Sequence, residues 1–288
     1  MRIANLDGRA VLLTDGGAVD IHQASGGTLS PDPQTLFDQW PQTLPVLRGL
    51  AGESSTYPET DAYRETDLRA PVPRPGQIFA IGVNYREHAE EAGLEPSTWP
   101  MTFTKFASCL TGPNVTVDLP EGWVDWEVEL VVVIGRAGHR IPAVDAWEHL
   151  AGLTIGQDLS ERIGQWSGPA PQQFSLGKSH PGFGPTGPAV VTPDELADPA
   201  DLAISCTLNG ETMQDGRTGD MIFGIPELIA HLSSITVLRP GDLIFTGTPA
   251  GIGSTRTPPR FLSSGDELIS TIEGLGTQTL SFRAAHNS

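Results

Sequence analysis

The sequence predicts an α+β fold that is mostly β, with a small N-terminal unit ahead of a larger main domain. Three observations carry this expectation. Gly 33 and Pro 25 make about a fifth of the 288 residues turn formers. Helical periodicity is confined to short windows, and the intervening apolar or alternating runs are bounded by Gly-Asp turns, as antiparallel strands are.

In chain order, short strands are expected around Ile3 and from Ala10 to Thr14, then a turn at Asp15 to Gly17 and a helical window over 34–50. The proline-rich stretch APVPRPG at 70–76 cannot sit inside regular structure, so it divides a unit 1–70 from a main domain 71–288. IFAIGVN then opens the main domain as a strand. Helical windows follow at 85–92, 144–150 and 226–235; in the last, Leu228, Ile229, Leu232 and Ile235 share a face and Pro226 suits the first turn. RPGDLIFTGTP and SSGDELISTIEG read as consecutive antiparallel strands.

Bulk properties narrow the function. A net charge of -18 and a pI near 4.6 disfavour nucleic acid and anionic membranes as partners, because both need concentrated Lys and Arg. Cys109 and Cys206 lie far apart without CxxC spacing, which fits reduced structural cysteines and neither a disulfide framework nor a zinc site. No apolar run approaches a membrane span, and a cytoplasmic protein is expected.

The most informative stretch is WVDWEVELVVVIG at 123–135, where Asp125, Glu127 and Glu129 are spaced by two. In a strand they project from one face, while Val124, Trp126, Val128 and Leu130 face the other way. A solvated outer strand face would give the same spacing, but the apolar continuation LVVVIG points to burial on both faces. Buried like charges need a compensating cation, and Mg²⁺, Mn²⁺ or Ca²⁺ takes oxygen ligands. His88 and Glu91, three apart in EHAEEAG, would share a helix face and can hydrogen-bond, although an exposed helix with several acids reads the same way.

Taken together, IGVNYREHAEEAG, VDWEVELVVVIG, GQDLSERIGQ with the later LGKS, and LRPGDLIFTGTPAGIG resemble the fumarylacetoacetate hydrolase family in order and spacing, from 76 to about 280. The resemblance implies a mixed β-sandwich roll with few helices and a small N-terminal domain. It makes Glu127, Glu129 and Asp158 ligands of Mg²⁺, with Mn²⁺ or Ca²⁺ as alternatives, and leaves Asp125 in a supporting or solvated role. His88 and Glu91 become a catalytic dyad on a mobile lid, with Gly93 and Pro96 as places for it to end or bend. Lys178 is implied as catalytic; Arg162, Gln165 and Thr248 are implied as substrate contacts. Two cations and a metal would solve the problem that an acidic molecule has in attracting an anion. His180, in SHPG after Lys178, occupies a region where many members carry an acid, which bears on substrate identity.

The implied reaction is handling of a small anionic 2-oxo acid, first of all metal-dependent C–C hydrolysis of a 3-acylpyruvate to pyruvate and a carboxylic acid, as in aromatic catabolism. Oxaloacetate decarboxylation, or a hydratase, isomerase or lyase reaction on another 2-oxo acid, uses the same chelate. A homodimer is a further implication of the family. A metal-stabilised scaffold without catalysis would need neither the dyad nor Lys178.

Overall fold

The computed structural model describes residues 1–52, 63–168 and 172–285. Its larger sheet runs, neighbour by neighbour, through Gly17–Asp20, Arg9–Thr14, Arg2–Leu6, Gly184–Val191, Leu150–Gln157, Val128–Ile134, Leu243–Phe245, Ile78–Gly82 and Met101–Thr104. Leu68–Arg69 and Leu110–Thr111 join it off this path. A second sheet of five strands runs through Glu211–Arg217, Ala203–Leu208, Glu267–Ile272, Gly276–Ala284 and Asn114–Leu119. Both sheets are mixed: Leu243–Phe245 is parallel to Ile78–Gly82, and Gly276–Ala284 is parallel to Asn114–Leu119. The result is the mostly β, α+β sandwich roll that the sequence predicts.

The run LVVVIG is buried on both faces because it lies between two cores. Val128, Leu130, Val132 and Ile134 join Ile204, Leu268 and Leu280 of the second sheet, whereas Val131 and Val133 join Ile3, Leu36, Phe37, Trp40 and Leu47. Each such side chain removed from water contributes about 1.5–3 kcal/mol before entropy is counted. The described residues of this unit, 1–52 and 63–70, therefore share a core with the main sheet and extend it, since Arg2, Ile3 and Ala4 pair antiparallel with Val191, Val190 and Ala189. The 70/71 boundary separates parts that share one sheet.

Local expectations hold unevenly. The 34–50 window is two helices, Pro33–Asp38 and Trp40–Gly52, broken at Gln39. Pro41 has no amide to continue the first helix and fits the opening turn of the second. The 144–150 window is a 3-10 segment, Ala143–His149. Helix Ile225–Ile235 buries Leu228, Ile229 and Leu232, but Ile235 at its end is exposed. RPGDLIF and SSGDELIS are not consecutive antiparallel partners: Leu243–Phe245 belongs to the large sheet and Glu267–Ile272 to the other. The stretch between them crosses from one sheet to the other, which alternation within each strand does not encode.

Candidate active site

The acidic strand is interrupted. Val124–Asp125 pairs with Ser160–Glu161, Val128–Ile134 pairs with Leu150–Gln157, and Trp126 and Glu127 lie in neither strand. Even so, Glu127, Glu129 and Asp158 converge in the interior, with one carboxylate oxygen from each within 4.8 Å of the others. Asp158 reaches this point because its amide donates to Glu127 O at 2.9 Å, tying the segment after Leu150–Gln157 to the break.

Asp125 does not belong to this cluster, and it is not solvated either. It is fully buried; its Oδ2 accepts from Nε and Nη2 of Arg162 at 2.9 and 2.8 Å, and its Oδ1 accepts from the amides of Trp126 and Gly253. The guanidinium also meets Glu127 Oε1 at 2.8 Å and donates to Gln165 Oε1 at 2.9 Å. Gly253 leaves no room for a larger residue here, since a Cβ on it would fall 1.9 Å from Arg260 O.

Lys178 donates to Glu127 Oε2 and to Asp158 Oδ2, each at 2.7 Å. Lys105, which the sequence reasoning missed, donates to Asp158 Oδ1 at 2.6 Å and to Lys178 O. A signal was present: Lys105 and Lys178 are the only two lysines in the chain, and both end on one aspartate.

Burial alone would push Glu127 up, but the Lys178 ammonium and the Arg162 guanidinium outweigh it and hold the carboxyl at about 2. Glu129 is the opposite case. Burial, reinforced by Asp158 and then Glu127, lifts it well above the usual carboxylate range. Its Oε2 accepts from Gly247 N at 2.8 Å, and among the described residues no Lys or Arg forms an ion pair with it. Four buried carboxylates, Asp125, Glu127, Glu129 and Asp158, thus face three cations, Lys105, Arg162 and Lys178. The donor set fits a divalent cation, which would turn the local excess from negative to positive.

A pH dependence follows. Protonation of Glu129 stabilises the cation-free fold; that stability is fully present below the ordinary carboxylate value and is lost as pH rises through the raised one. Glu127 has the opposite sign, its contribution being lost only as pH falls toward about 2. Adding Mn²⁺ should therefore raise Tm more at about pH 8 than at about pH 5. Differential scanning calorimetry at both values checks this, and an equal gain at both would refute the assignment to Glu129.

The dyad lies on helix Arg86–Glu91. Glu91 Oε1 is 2.8 Å from His88 Nδ1, and its Oε2 accepts from Gly251 N at 2.9 Å and Thr255 Oγ1 at 3.1 Å. Burial pushes the Glu91 carboxyl up, but His88, the Gly251 amide and Thr255 prevail and hold it below its ordinary value. An ionised Glu91 puts the proton on Nδ1 and leaves Nε2 to accept one. Gly93, at φ +68, ends the helix. At the other end Val83, a β-branched residue at φ +54, precedes Asn84, whose side chain bonds Phe223 and Thr246 backbone groups.

His88, Glu91, Glu127, Arg162, Gln165, Lys178 and Thr248 all line one cavity of about 630 Å³. Ile81, Met101, Phe103, Trp166, Phe174 and Ile252 supply its apolar wall. Glu129 and Asp158 are buried and are not among its lining residues. The Thr248 hydroxyl is engaged within the protein, donating to Val128 O and accepting from Gln214. His180 packs against Phe183, with ring centroids 4.9 Å apart, and does not line the cavity either.

Fold and site together define a class: a β-rich protein of enzyme type, in which an imidazole–carboxylate pair shares a cavity with Glu127 of a buried carboxylate triad suited to a divalent cation. The sequence profile of the fumarylacetoacetate (FAA) hydrolase C-terminal family matches residues 77–283, and the chain belongs to the fumarylacetoacetate hydrolase family. It is 43% identical over 264 residues to bovine mitochondrial oxaloacetate tautomerase FAHD2A, covering 91% of this chain and 82% of that one. The human protein of that name is 42% identical over 265 residues, covering 91% and 83%. Among solved structures, maleylpyruvate hydrolase from Sphingobium sp. SYK-6, in complex with manganese(II) and pyruvate, is 28% identical with a TM-score of 0.78 over 99% of this chain and 100% of that one.

Proposed function

We propose that this protein is a divalent-metal-dependent enzyme that catalyses keto–enol proton transfer on a short 2-oxo acid, with oxaloacetate as the first candidate. The observation that carries the proposal is the His88–Glu91 pair, 2.8 Å apart, opening on the same cavity as Lys178 and Glu127. The 43% identity to oxaloacetate tautomerase FAHD2A supports the choice of substrate. Glu127, Glu129 and Asp158 would hold Mg²⁺ or Mn²⁺, and manganese in the maleylpyruvate hydrolase structure supports that. When bound, the ion would supply a Lewis acid able to coordinate a substrate carboxylate and polarise the adjacent carbonyl.

The chain's own groups do the rest. His88 Nε2 takes a proton from the carbon next to the carbonyl, and Glu91 holds the imidazolium that results. The proton is returned to the oxygen in the enol direction, so nothing is gained or lost overall. Lys178 and Arg162 offset the charge that develops on the oxygen, and Gln165 lies beside Arg162 to orient the substrate.

Hydrolysis of a 3-acylpyruvate, the first expectation from the sequence, becomes the second proposal. The apolar wall of Met101, Phe103, Trp166 and Phe174 favours it, because oxaloacetate has no tail to place there. In that reaction His88 would take its proton from water.

The test follows the ultraviolet absorbance of enol-oxaloacetate, and pyruvate release from oxaloacetate and from acylpyruvates, with Mg²⁺, Mn²⁺ or EDTA. Metal-dependent acceleration of enol loss without pyruvate is expected. Pyruvate from oxaloacetate would instead indicate a decarboxylase, and pyruvate plus a carboxylic acid from an acylpyruvate a hydrolase. A cytoplasmic location and a homodimer remain part of this proposal. Among the described residues no helix is long and apolar enough to cross a membrane, and the bovine and human relatives carry "mitochondrial" in their names.

A further inference from the structure

Where the acidic strand breaks, the amides of three successive residues are met by side-chain oxygens in place of strand partners. Trp126 N donates to Asp125 Oδ1 at 2.8 Å, Glu127 N to Gln157 Oε1 at 2.9 Å, and Val128 N to Gln214 Oε1 at 2.9 Å. Gln214 belongs to Glu211–Arg217 in the five-stranded sheet, and Gln157 Nε2 is in turn held by Ser270 of the same sheet at 2.9 Å. All these side chains are buried.

Gln214 closes a ring on Val128, the residue between Glu127 and Glu129. Its Nε2 donates to Thr248 Oγ1 at 2.7 Å and to Pro249 O at 2.8 Å, and the Thr248 hydroxyl donates to Val128 O at 2.8 Å. The amide orientation is determined by its partners, since Val128 N only donates and Pro249 O only accepts. A glutamate could not donate to Pro249 O, and it would add another carboxylate near the triad. The neighbouring Gly247 amide holds Glu129, and Gly251, further along the same loop, holds Glu91.

We propose that Gln214, with Gln157 beside it, is a positioning residue for the cation site: it fixes the backbone between Glu127 and Glu129 to the 247–251 loop and so sets the spacing of two ligands. The proposal rests on the triad's binding a cation. In this view the second sheet shapes the metal site as well as covering the core, and Thr248 serves it through its hydroxyl.

Mn²⁺ affinity, read from the paramagnetic resonance of free Mn²⁺, tests the proposal without any activity assay. Gln214→Met and Gln157→Met preserve side-chain bulk while removing every hydrogen bond, and each should weaken Mn²⁺ binding about 10- to 100-fold. Gln278→Met is the control. Gln278 is also buried in the five-stranded sheet, but neither amide atom has a partner among the described residues, so its affinity should match the unaltered protein's. Circular dichroism verifies folding, and the two variants stand in for each other if one misfolds. Unchanged affinity in a folded variant, or an equal loss in Gln278→Met, would overturn the positioning role. Failure of the unaltered protein to bind Mn²⁺ would overturn the cation site and this inference with it.

Discussion

Asp158→Asn is expected to destabilise the cation-free protein by about 3–5 kcal/mol, the range for removing one partner of a buried ion pair. Asp158 is fully buried, and each of its oxygens takes one of the chain's two lysines, Lys105 at 2.6 Å and Lys178 at 2.7 Å. An asparagine offers one acceptor and turns an NH₂ toward an ammonium. Lys178 retains Glu127, but Lys105 has no other carboxylate within ion-pair distance among the described residues. Lys105 thus bears most of the loss. Equilibrium denaturation measures the change, and a double-mutant cycle with Lys105→Met assigns it. The double variant should be more stable than Asp158→Asn alone, because the orphaned charge is gone. A cycle without coupling would show that the Lys105 pair contributes nothing. The same substitution removes one of the three candidate ligands, so Mn²⁺ binding should fall with stability.

Glu91→Gln should lower the rate of metal-dependent turnover by about 10²- to 10⁴-fold while leaving Mn²⁺ affinity unchanged. Its carboxylate is the acceptor that keeps the His88 proton on Nδ1, and it is itself braced by the Gly251 amide and Thr255. A glutamine can present NH₂ to Nδ1 and favour the wrong tautomer. His88→Gln should cost at least as much, and the double variant little more than the single one, since the pair acts as a unit. The Glu91 carboxyl lies below its ordinary value, so its contribution is present above the ordinary value and is lost only as pH falls through the lowered one. Loss of activity on mild acidification should therefore not come from Glu91. Full activity in Glu91→Gln would remove the dyad from the mechanism.

Much of the site is legible in the chain because it is encoded locally. The two-residue spacing of Glu127 and Glu129 signals their convergence even though the strand breaks at Glu127 and resumes at Val128, and His88 and Glu91 meet because three residues make nearly one helical turn. Asp158 is found only through the family pattern, since a lone aspartate in a loop has no local signature. Asp125 shows the limit of periodicity: it shares the spacing of the candidate ligands but is held by Arg162, 37 residues away.

By itself the sequence determined the β-rich class, the two-sided burial of LVVVIG, the candidate ligands and dyad, and the family. Apart from Asp158 and the family, which rest on the order and spacing of segments from 76 to about 280, those properties depend on neighbours a few residues apart, which backbone geometry couples directly. Tertiary structure alone decided that strand Arg2–Leu6 joins Gly184–Val191, that Lys105 pairs with Asp158, and that Gln157 and Gln214 supply the amide acceptors at the broken strand. Those partners are 30 to 86 residues apart in the side-chain cases and farther in the strand pair, and buried polar groups take whichever partner the packed sheets bring within reach. No local pattern records that choice, because it is made when the two sheets close on one another.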